Sequence, residues 1–325
     1  MASPFDDYEV EKEMRASARG LAFDLDQALA SLVVLHARIP QDAFTAQTLG
    51  VERLGNGIVI SPAGLVLTIG YLIMEAEEVT LITNDGRRVP AHVLGVDGVT
   101  GLGLLQALEP LDLPALPLGD SRHLRAHDPI IFAGGGGRAH AMAGQLTARA
   151  PFAGYWEYML DEALFTGPGH PHWSGGALIG PSGALMGVGS LQMVQQAPGE
   201  EPLLINMSVP IELLPPILDD LSRGRQAAAP RPWLGVFSHD TDAGVVVMDV
   251  APGGPADRAE LRRGDVILAL GGHKIDDLSD LYAKLWALGP AGVIAPLRLK
   301  REGDVFDVEV RTIDRASKLK KRRFN

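Results

Sequence analysis

The 325-residue sequence contains no cysteine. That excludes a disulfide framework and a thiolate metal site. Aromatic residues make up only 6%, while glycine (38) and proline (23) are abundant, a balance that suits many short strands and turns better than helical bundles. No run approaches the roughly 18 apolar residues that a membrane helix needs. The longest candidate, Leu29 to Leu35, is followed at once by His36 and by Arg38. The net charge of −11 argues against a nucleic-acid-binding body. Gly134-Gly135-Gly136-Gly137 lacks the Lys-Ser/Thr of a phosphate loop and any following helix pattern, so no phosphate cradle is expected there. No cofactor and no metal site are expected. The opening Met1-Ala2-Ser3-Pro4-Phe5-Asp6-Asp7 has no apolar signal core; the expected compartment is cytoplasmic as written, or periplasmic if a signal has been removed.

A 46% apolar share over this length predicts two or three domains. Residues 8–30 carry apolar residues at helical spacing (Met14, Leu21, Phe23, Leu25, Leu29) and predict one helix. Two strand-rich halves follow to about residue 210, with Asn84-Asp85-Gly86 a hairpin signal. Pro210 to Leu221 reads as a helix, and Ser222 to Pro232 as a linker by composition. From Arg315 the tail holds six basic residues (Arg315, Lys318, Lys320, Lys321, Arg322, Arg323) and no acidic one. By subtraction (−11 − 6) the remainder carries −17. Such a run is a solvated end first, and a contact for nucleic acid, an anionic surface or an acidic partner second.

The most informative segment is Trp173-Ser174-Gly175-Gly176-Ala177-Leu178. It resembles the nucleophile loop of an HtrA/DegP-type serine protease. Upstream, Gly55-Asn56-Gly57-Ile58-Val59-Ile60-Ser61 is similar to that family's opening strand, and Gly64-Leu65-Val66-Leu67-Thr68 to the strand that leads to its histidine. The family then writes T-N-x-H-V-V; here Thr68-Ile69-Gly70-Tyr71-Leu72-Ile73 puts Tyr71 at the histidine position. The family's T-D-[IL]-A-[VL]-L strand reads Thr100-Gly101-Leu102-Gly103-Leu104-Leu105, which puts Gly101 at the aspartate position. His172 takes the place of the glycine whose N–H serves the oxyanion hole. The run Leu203 to Pro210 resembles the strand that closes the second barrel.

A second resemblance, to a PDZ domain of the same family, rests on Trp233-Leu234-Gly235-Val236 and on the blocks Ala251 to Ala256 and Leu261 to Ile267. It implies a peptide site made by Trp233, Leu234, Gly235 and Val236 at the carboxylate loop. Leu281 and Leu285 on a helix over Asp276 to Leu288 would face it. Such a domain takes an extended C-terminus by strand addition, with an apolar last residue. The alternative is that the protein's own linker or tail fills the groove.

The resemblance implies a mostly β fold: a double antiparallel β-barrel of the chymotrypsin-like kind followed by a PDZ domain. The expected division is 1–45 (N-terminal helix and entry strand), 46–221 (trypsin-like domain), 222–232 (linker), 233–314 (PDZ) and 315–325 (basic tail). It also implies a homo-oligomer, a trimer, with the N-terminal helix offering a contact surface. Three functions compete. The first is a protease homologue without turnover that binds peptides or partners. The second is an active endopeptidase that uses Ser174 with another base. The third is a subunit that tunes an active paralogue. His170 and His172 invite a substitute-dyad reading, set against two surface residues of a loop; metal binding by the pair lacks an acidic third ligand nearby. Tyr155, Trp156 and Tyr158 read as packing rather than as a recognition patch.

Overall fold

The computed structural model describes residues 9–196 and 201–320. They divide into two compact units: residues 1–150, 162–227 and 320–325 make the first, and residues 151–161 with 228–319 the second.

The first unit holds two closed six-stranded antiparallel barrels, as the fold resemblance implies. One comprises β1 (Leu32–Arg38), β2 (Glu52–Ser61), β3 (Leu65–Ile69), β4 (Glu78–Ile82), β5 (Arg88–Val96) and β6 (Leu102–Ala107), in the order β1-β2-β3-β6-β5-β4. The other comprises β7 (Pro129–Ala133), β8 (Ala141–Gly154), β9 (Tyr158–Gly167), β10 (Ala177–Ile179), β11 (Leu185–Gln195) and β12 (Leu203–Pro210), in the order β10-β11-β12-β9-β8-β7. Closure leaves no free sheet edge. The interiors are aliphatic: Leu32, Ile58, Leu67 and Leu104 fill one, and Phe132, Leu164 and Leu178 the other, all buried. The Asn84-Asp85-Gly86 turn joins β4 to β5, and the four glycines lie between β7 and β8.

Two expected helices are not formed as single elements. Residues 8–30 contain only a 3-10 turn at Lys12–Met14 and a short helix at Leu25–Ala30, capped by Asp24. Val10 and Ala16 donate their N–H groups to the carbonyls of Ala139 and Ala141, so this backbone is used in sheet-like pairing against the second barrel. Gly20, at φ 83°, breaks what remains of the helical pattern. From Pro210 onward there is a 3-10 turn at Ile211–Leu213 and a helix at Leu218–Ser222. Pro215 and Pro216 interrupt the path, because neither can donate to a helical ladder.

The second unit is a sheet of order β13-β14-β15-β17-β18: β13 (Val236–Thr241), β14 (Gly244–Val250), β15 (Val266–Leu270), β17 (Ile294–Arg301) and β18 (Asp304–Arg311). A short β16 (His273–Lys274) pairs with β15. The Leu278–Ala287 helix begins at Asp277, whose side chain accepts from the Asp280 N–H. Leu278, Leu281, Tyr282 and Leu285 on this helix are buried. They join Leu234, Val236, Val247, Ile267 and Leu299 in one core. Asp265, fully buried, receives two hydrogen bonds from the Arg301 guanidinium, at 2.6 and 2.7 Å.

Candidate functional site

Ser174 lies on the tight turn before β10. Gly175 there has φ 72°, and a Cβ at that residue would stand 2.2 Å from the Asn56 carbonyl oxygen. Only glycine fits that approach. Asn56 on β2 stitches the turn: its N–H donates to the Ser174 carbonyl at 2.8 Å, and its Nδ2 donates to the carbonyls of His172 and Ser174 at 2.9 and 3.0 Å. Its Oδ1 accepts from the Gly135 N–H at 2.9 Å, which gives the glycine-rich turn a role in holding the loop.

Tyr71 rides on the single helical turn Gly70–Ile73 that follows β3. Its hydroxyl is 2.6 Å from Ser174 Oγ and 2.8 Å from the Ser190 carbonyl oxygen on β11. The Tyr71 proton goes to the carbonyl, which can only accept. Ser174 Oγ–H is therefore the donor to the phenol oxygen. Burial pushes the Tyr71 phenol up to about 12, against a smaller opposing effect of the Ser174 hydrogen bond. Gly101 opens the strand behind, at φ 78°, and its carbonyl accepts the Gly70 N–H at 2.7 Å. It carries no side chain to orient a base. Asp97, the acid in the same turn, accepts from the Thr100 N–H and Oγ1 at 2.7 and 2.8 Å.

The backbone N–H of His172 donates to His170 Nδ1 at 3.0 Å. His170 is fully buried, which corrects its reading as a surface residue of a loop. Burial holds its imidazole down to about 3, with the neighbouring His172 acting in the same direction. It is thus neutral, with Nδ1 as acceptor and Nε2–H directed to the His140 carbonyl at 3.2 Å. Its own N–H donates to Asn206 Oδ1 at 2.6 Å. Ser190 thus belongs to the site although no sequence signal singled it out; Asn56 stood in the sequence only as part of an opening strand, and His170, weighed there as a substitute base, serves instead as the acceptor of the His172 N–H. A groove of about 320 Å³ runs past Ser174, lined among others by Leu54, Tyr71, Leu72, Pro171 and Trp173. Among the described residues no cluster of three or more His, Asp or Glu side chains is placed to hold a metal ion.

In the second unit, Gly235 at φ 81° curls the loop so that the N–H groups of Leu234, Gly235 and Val236 converge. Trp233 is buried and exchanges backbone hydrogen bonds with Ile313. Leu281 and Leu285 have no exposed surface and sit inside the core. Tyr155, Trp156 and Tyr158 pack on one another and on Phe152, with the Trp156 and Tyr158 rings stacked.

Comparison with known proteins agrees with this architecture. Residues 55–188 match the model of a trypsin-like peptidase domain, and residues 232–312 that of a PDZ domain. A probable periplasmic serine endoprotease, DegP-like, of Chlamydia pneumoniae is 30% identical over 282 residues, covering 81% of this chain and 55% of that protein. The periplasmic pH-dependent serine endoprotease DegQ of Escherichia coli is 27% identical over 282 residues, covering 81% and 60%. The chain therefore spans little more than half the length of such relatives. Among solved structures, a serine endoprotease from Yersinia pestis aligns with a TM-score of 0.53 at 23% identity, over 90% of this chain and 99% of that one. The HtrA-type protease AlgW with decapeptide aligns at 0.53 and 21%, with the same coverage. At such identity these structures speak for the fold. No described helix is long and apolar enough to cross a membrane. With both domains present in order and the relatives bearing these names, the chain is of the HtrA/DegP type, a trypsin-like peptidase domain followed by a PDZ domain.

Proposed function

We propose that this chain is a protease homologue without turnover, a scaffold that takes peptides or partner C-termini through its PDZ domain. The observation that carries the reading is the Tyr71 hydroxyl, set 2.6 Å from Ser174 Oγ and anchored on the Ser190 carbonyl. A serine is a poor nucleophile until a base takes its proton. With its phenol at about 12, Tyr71 is ionised in only about one molecule in 10⁵ at neutral pH. Loss of the triad base costs on the order of a millionfold in rate. The second deficit is the His172 N–H, directed at His170 Nδ1 rather than at a reacting oxygen. One lost oxyanion donor costs roughly a hundred- to a thousandfold. The terms do not add, but the first alone abolishes useful turnover.

A fluorophosphonate probe and a casein assay on the full chain test this. Neither labelling nor cleavage that depends on Ser174 is expected. Strong labelling absent from Ser174→Ala would assign the chain instead to the active endopeptidases. The periplasmic names of the relatives favour that compartment over the cytoplasmic one. The trimer implied by the resemblance is part of the reading. Light scattering at micromolar concentration should then give three times the chain mass, and a monomeric value rejects it. The single N-terminal helix expected to offer a contact surface is replaced by a 3-10 turn and a short helix.

A further inference from the structure

Residues 151–161 and 228–319 form one compact unit, and within it the carboxylate loop is already occupied. Glu157 Oε2 accepts from the Leu234 N–H at 2.8 Å. Oε1 accepts from Gly235 at 2.6 Å and Val236 at 3.0 Å. Three convergent backbone donors on one carboxylate are the recognition that a peptide terminus would receive. The neighbouring backbone completes the likeness to a bound strand. The Ser238 N–H, on edge strand β13, donates to the Tyr155 carbonyl at 2.9 Å. The Tyr282 hydroxyl donates to the Gly154 carbonyl at 2.8 Å and accepts from the Glu157 N–H at 3.0 Å. The Tyr155 ring lies against His239 and Phe237, and Ala153 and Met159 pack on the core. Glu157 itself is buried and holds φ 59°, a left-handed conformation that a glutamate keeps only when its surroundings hold it there. The guanidinium of Arg315 lies close enough to attract the carboxylate.

We infer that residues 154–158 are an internal ligand of the PDZ domain, with the Glu157 side chain standing in for a C-terminal carboxylate, so that an external peptide binds only by displacing them. The occupant differs from the linker or tail that the sequence suggested. Only the identity of the competitor rests on the peptide-binding reading above. A tethered ligand acts at an effective concentration near the millimolar range. The apparent affinity of any competitor falls by the fraction of molecules with the loop open.

The test uses the full chain, Glu157→Ala and Glu157→Gln. Amide hydrogen exchange at residues 234–236 is measured first. Binding is then measured by fluorescence polarisation with labelled heptapeptides ending in Val, Leu or Phe, as free acids and as amides. Exchange at 234–236 should be at least tenfold slower in the wild type than in Glu157→Ala, with Glu157→Gln between. The free-acid peptides should bind the variants at least tenfold more tightly than the wild type. Equal exchange in all three proteins overturns the inference whatever the peptides do. Faster exchange in the variants without any peptide binding leaves the internal ligand standing and removes the peptide-binding reading. Should Glu157→Ala fail to fold, the comparison of Glu157→Gln with wild type decides on the same readout.

Discussion

The hydroxyls of Ser174 and Tyr71 form a chain that ends on the Ser190 carbonyl, so both protons are placed and neither oxygen is left to act as a base. The first prediction concerns this chain. Tyr71→Phe takes away the donor to a carbonyl on a buried residue, and should lower stability by about 1–2 kcal/mol, read from the midpoint of urea unfolding at constant slope. A stability equal to or above wild type would show that the phenol's bonds are not held in solution. The second concerns restoration of the family residues. Tyr71→His with Gly101→Asp should recover little activity on casein. Position 101 sits at φ 78°, which costs a non-glycine residue roughly 1–2 kcal/mol. The His172 N–H stays on His170 Nδ1, so a restored base still lacks an oxyanion donor. Adding His170→Ala and His172→Gly together should raise the rate further, by up to about a hundred- to a thousandfold. A double variant already as fast as the quadruple one would mean that the His170 contact does not matter. That Tyr71 would lie beside Ser174 was legible in the sequence, because flanking blocks fix the register there. The His170 contact was not, because it depends on a fold that buries an imidazole two residues before the N–H it accepts.

At the scale of elements, alternating apolar strands and turn signals identified both barrels, and the intact Gly264-Asp265-Val266-Ile267 block marked the PDZ sheet. The two failures were helices. Apolar spacing over 8–30 fits a helix face, but it fits equally a segment that buries Val10, Ala16, Leu25 and Leu29 one at a time. Hydrogen-bond partners more than a hundred residues away decided between the two. The turn at 155–157 between β8 and β9 was illegible for the same reason: nothing local distinguishes Glu157 from a solvated glutamate. Its environment gives the third prediction. Burial pushes the Glu157 carboxyl up to about 7, while bonds from Leu234, Val236 and Gly235 and the charge of Arg315 pull the other way. Tyr282 faces it from the Leu278–Ala287 helix, and the His239 ring on β13 lies tilted against Tyr155. The docked carboxyl thus holds its proton to a higher pH than a released one, whose ordinary value is 4.5. Proton binding favours docking, so docking is fullest below that ordinary value and weakens as pH rises through about 7. Between pH 5 and 8, wild-type affinity for free-acid peptides should rise with pH, while Glu157→Gln should lose this dependence. His239→Gln separates the histidine's own titration. A falling wild-type affinity over this range rejects the assignment.

For the whole molecule, the charge distribution invites a reading that the structure revises. Six basic residues at the end of a chain whose remainder carries −17 look like a detached, solvated tail. Lys321, Arg322 and Arg323 lie outside the described residues, but the other three are engaged. Arg315 opens a 3-10 turn, Arg315–Lys318, capped by Asp314, and is half-buried. Lys318 Nζ donates to the Gly253 carbonyl at 3.1 Å. Lys320 Nζ pairs with Asp42 at 2.6 Å, and its N–H donates to Glu75, also at 2.6 Å. Exposed pairs such as Lys320–Asp42 are worth at most about 1 kcal/mol each, but removing Arg315 also takes away the positive charge that attracts the buried Glu157 carboxylate, a larger loss. A chain ending at Asp314 should therefore melt several degrees lower than the full chain, and exchange at residues 234–236 should speed up with it. Retention on a polyanion column in about 0.15 M salt should change little, since three of the six charges are committed to the fold and screening is strong at that ionic strength. The opposite pattern, an unchanged melting temperature with lost polyanion retention, would return the tail to the role of a free basic arm.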